Sequence, residues 1–537
     1  MPPLVESLTR PHADQDAPVS PGRFARPGQQ GRIGLPIEID EDERLGWLAR
    51  GVEQRGVRRP VGELPQRDPA SHGAQRTIAG MSDEVSGVAA ADWARSGVVW
   101  LTGHADGPPL VPPGDAATLA GSITARLTAA TADSRHPVRL DGAALLAERA
   151  ALTGHRRRGQ ISAGGATRLL PTSDGWAAVS CARPDDPALL AALVGAELPD
   201  DPWPAVAIWL RTHTGAELAD RAGLLGLAAT PVDPATAPAT WADRTTPPGR
   251  TTPPATWADR TTPPATPTGR TTPRAGGQPG SPAGLLVVDF SALWAGPLCA
   301  HLLGLAGARV VKVETPQRLD GARRGNEDFY NLLHAGHRAV VLDPTTAAGR
   351  NALAALVMAA DIVIESSRPR ALAGFGLDAE AAAEHGTIWV SITAAGRDSP
   401  RVGFGDDVAA GAGLVACDDR GQPVFCGDAL ADPLTGLVAA ELAMSAPRDG
   451  RGVLFDVSMA GVVAATLAGH APPVAVACAG PPSPAPGARR AGAGWVVDTA
   501  SGPVPVAEPR ARAATGGAAA PGEHTDQVLR ELRIPAR

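Results

Sequence analysis

The residues best placed for chemistry lie in Gly427-Asp-Ala-Leu-Ala-Asp432-Pro-Leu-Thr-Gly436, where Asp432 stands directly before a proline and an apolar run of helical length. Proline suits the first helical position because the N–H it lacks would have no partner there. On that pattern Asp432 is an N-cap whose carboxylate accepts a free backbone N–H. The helix dipole also favours the anion at this place, and a carboxylate in a partly dry site can act as a nucleophile through a covalent acyl intermediate. The two readings are compatible, and the local pattern leaves both open.

A second candidate is the turn Ser291-Ala-Leu-Trp-Ala-Gly-Pro297 inside Gly284–Glu314, a strand, turn, helix and second strand ending in an acid. A nicotinamide-binding βαβ unit would carry G-x-G-x-x-G there, and this chain does not. Pro297 is placed to open the helix, and Ala295-Gly296 would let a phosphate-bearing ligand approach the helix N-terminus. A tight turn that merely needs small residues explains the pattern equally well. Glu314, without the glycine fingerprint, is weak support for a ribose contact. His301, His334 and His337 have no partner at metal-ligand spacing, and no G-x-S-x-G turn occurs, so they read as ordinary surface or core histidines. Asp406 and Asp407 read as turn or cap residues in a loop.

The elements that must position these residues follow from apolar periodicity. Runs at 285–290, 308–314, 339–342, 361–365 and 387–393 alternate with helical stretches, and a helix at 433–445 and a strand at 453–457 follow. Continuous Val/Ile/Leu strands alternating with helices predict an α/β fold, an open parallel Rossmann-like sheet with helices on both faces. An earlier folded region has apolar runs at 97–102 and 116–131, a helix at 142–152, a strand pair at 168–170 and 176–181, and helices at 187–194, 204–211 and 215–225, which suggests a smaller α+β domain. Between the two, ATWADRTTPP occurs at 239–248 and again at 255–264, with GRTTP interleaved, a Pro/Thr-rich repeat linker that favours extended chain. The organisation expected is a disordered tail over 1–79 with one helix near 42–54, the first region over 80–235, the linker over 236–282, the core over 283–470 and a C-terminal segment over 471–537, with a strand at 494–498 and a helix at 524–532.

Composition narrows the function classes. The 537 residues are 44% hydrophobic, enough for two or three domains. A net charge of −7 with no long basic run gives no electrostatic support for a nucleic-acid or anionic-membrane partner. Five cysteines, Cys181, Cys299, Cys417, Cys426 and Cys478, form no CxxC pair, which suits reduced thiols and excludes a zinc site or disulfide framework. No apolar run reaches bilayer-spanning length and the N-terminus has no signal-peptide pattern, so a soluble cytoplasmic protein is expected.

The region from Gly284 to about Gly469 resembles the family III CoA-transferases, the group of formyl-CoA transferase, carnitine CoA-transferases and α-methylacyl-CoA racemase. Asp289-Phe-Ser-Ala-Leu-Trp-Ala-Gly-Pro297 is similar to the family's opening strand and turn, and Gly307-Ala-Arg-Val-Val-Lys-Val-Glu314 to its second strand. His337-Arg-Ala-Val-Val-Leu-Asp343, Asp361-Ile-Val-Ile-Glu-Ser-Ser367 and Gly450-Arg-Gly-Val-Leu-Phe-Asp-Val-Ser458 stand where further blocks of the family fall. The resemblance implies that Asp432 attacks an acyl-CoA thioester, giving an acyl-aspartyl anhydride and then an aspartyl-CoA thioester that an acceptor acid resolves. It places Leu293, Trp294, Ala295, His337, Ser366 and Ser367 at CoA contacts, with CoA thioester as substrate and no permanently bound cofactor. His334 and His337 replace the family's asparagine and lysine, Ser366-Ser367 its Asn-Phe, and Thr393-Ala-Ala395 its Lys-x-Tyr. The racemase branch has a G-H-D block where this chain reads Gly403-Phe-Gly-Asp-Asp407, which removes that branch's base and favours transfer.

The first region resembles the same family as a degenerate copy, with Thr118-Leu119 where the aspartate would fall. Its Ser162-Ala-Gly-Gly-Ala166 is similar to the family's glycine-rich loop, so Gly164 and Gly165 are expected to cover the aspartate. Two truncated copies fused in one chain would then share the work, with the segment from Trp495 to Leu532 as the family's C-terminal return. The family's interlocked dimers make a homodimer an alternative to completion within one chain. The competing functional reading is a CoA-binding paralogue or scaffold that has lost catalysis, and a nicotinamide oxidoreductase ranks third.

Overall fold

Near-continuous apolar runs, buried on both faces, build the six parallel strands of the sheet that carries the site. The computed structural model describes residues 88–232, 242–243, 280–468 and 487–535, all within one unit, Ala70–Arg537. The expected tail with its helix near 42–54, and the repeat linker apart from 280–282 and a two-residue strand at Ala242–Asp243, lie outside the described residues.

The front region opens with a helical stretch over 88–96 and a 3-10 turn at Val99–Leu101, followed by α1 (Ala116–Thr131), which buries Ala116, Ala120, Ile123 and Leu127 at helical spacing. The helix expected at 142–152 is split into Gly142–Leu145 and Glu148–Thr153. Strands β1 (Thr167–Pro171), β2 (Trp176–Ser180) and β3 (Ala229–Pro231) form an antiparallel sheet. Helices Asp186–Val194, Trp203–Leu210 and Gly215–Leu225 cover it around Leu190, Leu193, Val206, Leu210 and Leu218.

The back region carries β4 (Leu286–Asp289), β5 (Arg309–Glu314), β6 (Arg338–Val341), β7 (Ile362–Glu365), β8 (Ile388–Thr393) and β9 (Val453–Ser458). These six strands are mutually parallel in the order β9-β8-β7-β4-β5-β6, and Ala242–Asp243 pairs antiparallel on the β9 edge. Val287, Ile362, Ile364, Val390 and Val457 point to one face, packed under α2 (Ala295–Leu305), α3 (Gly405–Gly411) and α4 (Ala431–Ser445). Leu286, Val288, Val363, Trp389 and Leu454 point to the other, covered by helix Ala347–Ala359 and the C-terminal helix Thr525–Glu531. Chain order runs outward from β4 through β6 and then returns to β7 on the other side of β4. That reversal leaves a crevice beyond the carboxyl ends of β4 and β7, the place where open α/β sheets receive ligands.

α4 joins the regions: it packs against α2 and also against α1 of the front region. Among the described residues no helix is long and apolar enough to cross a membrane.

Candidate active site

The crevice is built from the turn that follows β4. Lys312 on β5 is buried beneath it, 2.9 Å from Asp320 and 3.6 Å from Asp289, and also donates to the Ser291 carbonyl. Burial opposes its charge, but the two carboxylates more than offset that and hold its pKa above the ordinary lysine value. Asp320 accepts the Leu293 N–H at 3.0 Å, and Asp289 accepts the Ser291 N–H at 2.8 Å. This buried ion cluster fixes Leu293 in the left-handed region, φ 71°, a strained conformation for a leucine, with its side chain 41% exposed. Trp294 and Ala295 beside it are buried. Ser366, at the end of β7, accepts the Ala292 N–H at 3.1 Å. Leu293, Trp294, Ala295 and Ser366 therefore converge on the crevice, and Ser367 follows with its hydroxyl buried and unpartnered.

His337 does not join them. It is buried beside Gly304 in the last turn of α2, with the His301 and His334 rings 6.3 and 5.5 Å away. Burial and the Lys312 charge push its pKa down to about 3, so it is neutral and supplies no cation for a phosphate. All three histidines are core residues, one of the two alternatives the sequence left open.

Asp432 differs from its expected place in one respect. Helix α4 begins at Ala431 with Leu430 at the N-cap, so Asp432 sits inside the first turn and makes no cap hydrogen bond. Its N–H donates to the Ala429 carbonyl at 3.0 Å, and among the described residues its carboxylate accepts no hydrogen bond. It is partly accessible, while Asp406, Asp407 and Asp428 around it are buried. A Cβ on Gly405 would overlap Asp432 Oδ2, so the carboxylate lies over the start of α3. One turn further along α4, a Cβ on Gly436 would come within 2.6 Å of the Ala295 carbonyl. That close approach of α4 to α2 brings Asp432 to the side of the Ala-Gly-Pro corner.

The carboxylates have separate partners. Asp428 receives a two-pronged contact from Arg149, Nε to Oδ2 at 2.9 Å and Nη2 to Oδ1 at 2.5 Å, and lies 3.3 Å from His155 Nδ1. Burial opposes its charge, yet Arg149 and His155 hold its pKa well below the usual carboxylate range. Asp406 accepts the Ala429 N–H at 2.8 Å and bonds Ser162; burial and Asp428 push it up to about 6. Asp407 accepts the Phe404 N–H at 2.8 Å and the Ser180 hydroxyl at 3.0 Å, and burial pushes it up to about 6. Asp432 is pushed up to about 7, by burial first and then by Asp406, Asp407 and Asp428, against the pull of Arg149. Ala429, just ahead of α4, is the other non-glycine residue of the site held at positive φ, 50°.

The glycine loop reaches this cluster. Gly165 is in the left-handed region at φ 83° and its N–H closes a turn on the Ser162 carbonyl at 2.8 Å; a Cβ on Gly164 would lie 3.4 Å from His155 and 3.9 Å from Asp428. Sequence reasoning passed over Arg149, Ser162 and Ser180 as site residues, and took Asp406 and Asp407 for loop residues when they open a helix. Nothing local signals these roles, because the partners are more than 200 positions apart. A cavity of about 360 Å³ is lined by Glu365, Trp389, Arg397, Leu377 and Glu380. Among the described residues no His, Cys, Asp and Glu cluster is arranged to hold a metal ion.

Residues 283–507 match the model of CoA-transferase family III. A succinate–glutarate CoA-transferase of Agrobacterium fabrum is 30% identical over 210 residues, 35% of this chain and 52% of that protein. A formyl-CoA:oxalate CoA-transferase of Escherichia coli is 31% identical over 194 residues, 33% of this chain and 47% of that protein. The crystal structure of a CaiB/BaiF family protein from Brucella suis aligns at 26% identity and a TM-score of 0.35, over 42% of this chain and 65% of that one. The chain spans about half the length of the curated relatives it matches.

Proposed function

We propose that this chain transfers CoA between an acyl-CoA thioester and a carboxylic acid, with Asp432 as the covalent nucleophile. The observation that carries the reading is a partly accessible carboxylate with no hydrogen-bond partner among the described residues, held beside a ligand crevice at the switch point of a parallel sheet. An Asp432 oxygen attacks the thioester carbonyl carbon, the C–S bond breaks, and CoA leaves as thiolate, giving an acyl-aspartyl anhydride. The thiolate then attacks the aspartyl carbonyl and expels the donor acid as carboxylate. The acceptor carboxylate attacks the aspartyl thioester, releasing the thiolate, which finally takes the acceptor's acyl group and frees Asp432. No proton is consumed, so the steps need an ionised aspartate and exclusion of water. Gly164 and Gly165 are the loop that shields the anhydride, and Leu293, Trp294, Ala295, Ser366 and Ser367 line the approach of CoA. Two matched relatives are named for succinate and glutarate and for formyl-CoA and oxalate, so small dicarboxylates are the first acceptors to try. Thioester substrates and cysteines without CxxC spacing suit the cytoplasm.

Asp432→Ala is expected to abolish transfer while CoA binding stays measurable; persistent transfer by that variant removes the mechanism. A second reading, a CoA-binding paralogue without turnover, is favoured by the neutral, buried His337 where the family carries a lysine. Borohydride or hydroxylamine capture after acyl-CoA addition separates the two, since only the enzyme yields a modified Asp432.

A further inference from the structure

We propose that Arg149, supplied by the front region and outside the segment that matches the family, is a positioning residue for the reaction at Asp432. The inference rests on the reading of Asp432 as nucleophile. Three observations place the guanidinium at the centre of the site. It forks onto Asp428 through two hydrogen bonds. Its carbon lies 5.0 Å from the centroid of the Trp294 ring, a cation–π arrangement that ties it to the corner after β4. It is also the cation that acts on Asp406 and on Asp432.

The arrangement solves a conflict between charge and reactivity. A guanidinium paired face to face with Asp432 would keep that carboxylate ionised but pin both oxygens, leaving no lone pair directed at a thioester. Here the fork is satisfied by Asp428, which lies within the turn before α4, and the positive charge still reaches Asp432 through a site that excludes much of the water. The groups facing Asp432 are Asp406 and Asp407 from α3, Asp428 from the preceding turn and Arg149 from the front helix, with His155 behind Asp428 and Arg401 behind Asp407. Removing Arg149 takes away a main attraction for the anion and leaves Asp428 as an unpaired like charge. Removing the Asp428 charge takes away a repulsion and leaves Arg149 unopposed. The two changes must move the ionisation of Asp432 in opposite directions.

The test is the pH dependence of acyl-enzyme formation in the full chain, with succinyl-CoA and formyl-CoA as probes, read by intact mass and by CoA thiol release. For Arg149→Gln the inflection is expected to move up by a unit or more, so that the rate at pH 6 falls by roughly tenfold per unit beyond the parent's. For Arg149→Lys the inflection stays within half a unit of the parent's, because the charge is kept, while the maximal rate falls with the loss of the fork. For Asp428→Asn the inflection moves down. A purely structural role for Arg149 would lower the rate equally at every pH, and an unmoved inflection in Arg149→Gln and Asp428→Asn overturns the proposal. Should Arg149→Gln fail to fold, an unmoved inflection in Asp428→Asn suffices to overturn it. Failure of the parent to form any adduct at any pH is a different result, which removes the Asp432 nucleophile and this inference with it.

Discussion

A carboxylate that attacks a thioester must be ionised at that moment, and Asp432 is surrounded by burial and three other carboxylates that oppose its charge. The folded protein therefore holds an Asp432 proton more tightly than the unfolded chain does. With a folded value of about 7 against an ordinary value near 4, the stabilisation is fully present below pH 4 and is lost as pH rises through about 7. Asp432→Asn should leave the melting temperature near pH 4 little changed and raise stability at pH 8 by roughly 2 kcal/mol, a figure reduced from the full shift because the side chain is partly accessible. Equal effects at both pH values would show that the carboxylate is not electrostatically burdened. The place of Asp432 at a helix start was legible because a proline and an apolar run follow it. Its burden was not, since Asp406 and Asp407 lie 25 or more positions away in what reads as a polar loop, and Arg149 lies in another folded region.

The elements were legible where burial is one-sided or complete. Each of β4 to β9 falls within a residue of its expected position because a parallel strand covered on both faces must be apolar throughout. The start of α4 was placed two residues late: Pro433 signalled a first helical position, whereas the helix already begins at Ala431. What holds the site in shape is glycine at two close approaches. A Cβ at Gly436 would stand 2.6 Å from the Ala295 carbonyl and 3.0 Å from Leu298, and one at Gly405 would overlap Asp432 Oδ2 and the Ala429 carbonyl. Backbone and helix would have to shift, so Gly436→Ala is expected to cost about 1–3 kcal/mol and to raise KM for acyl-CoA by displacing the corner. Gly405→Ala should reduce kcat by tenfold or more, roughly 1.4 kcal/mol of barrier. Gly121→Ala, in open space within α1, is the control; it should stabilise by about 1 kcal/mol, and similar losses in all three variants would refute the packing argument.

At the scale of the molecule the two folded regions share one core. Trp93, Ile123 and Leu127 of the front region pack with Leu434, Leu437 and Val438 of α4. The C-terminal segment straps the regions together: the Ala507 N–H donates to the Ala94 carbonyl, Arg512 pairs with the buried Glu148, and the His524 N–H donates to the Ala339 carbonyl on β6. The adjacency of the front region to the site was foreseen only as a consequence of family resemblance, because no periodicity reports contacts across a spacer. It has a consequence for how the site is completed. Arg149 and Asp428 meet within a single chain, so a second copy is not required to supply the cation. Arg149→Gln chains, about tenfold or more slower than the parent near pH 6, and inactive Asp432→Asn chains should therefore gain no activity when mixed or co-expressed. If regions were exchanged between copies, half of the mixed dimer's sites would combine an intact Arg149 with an intact Asp432. Activity approaching a quarter of the parent's on mixing would then show that the site is completed between chains, as in an interlocked dimer.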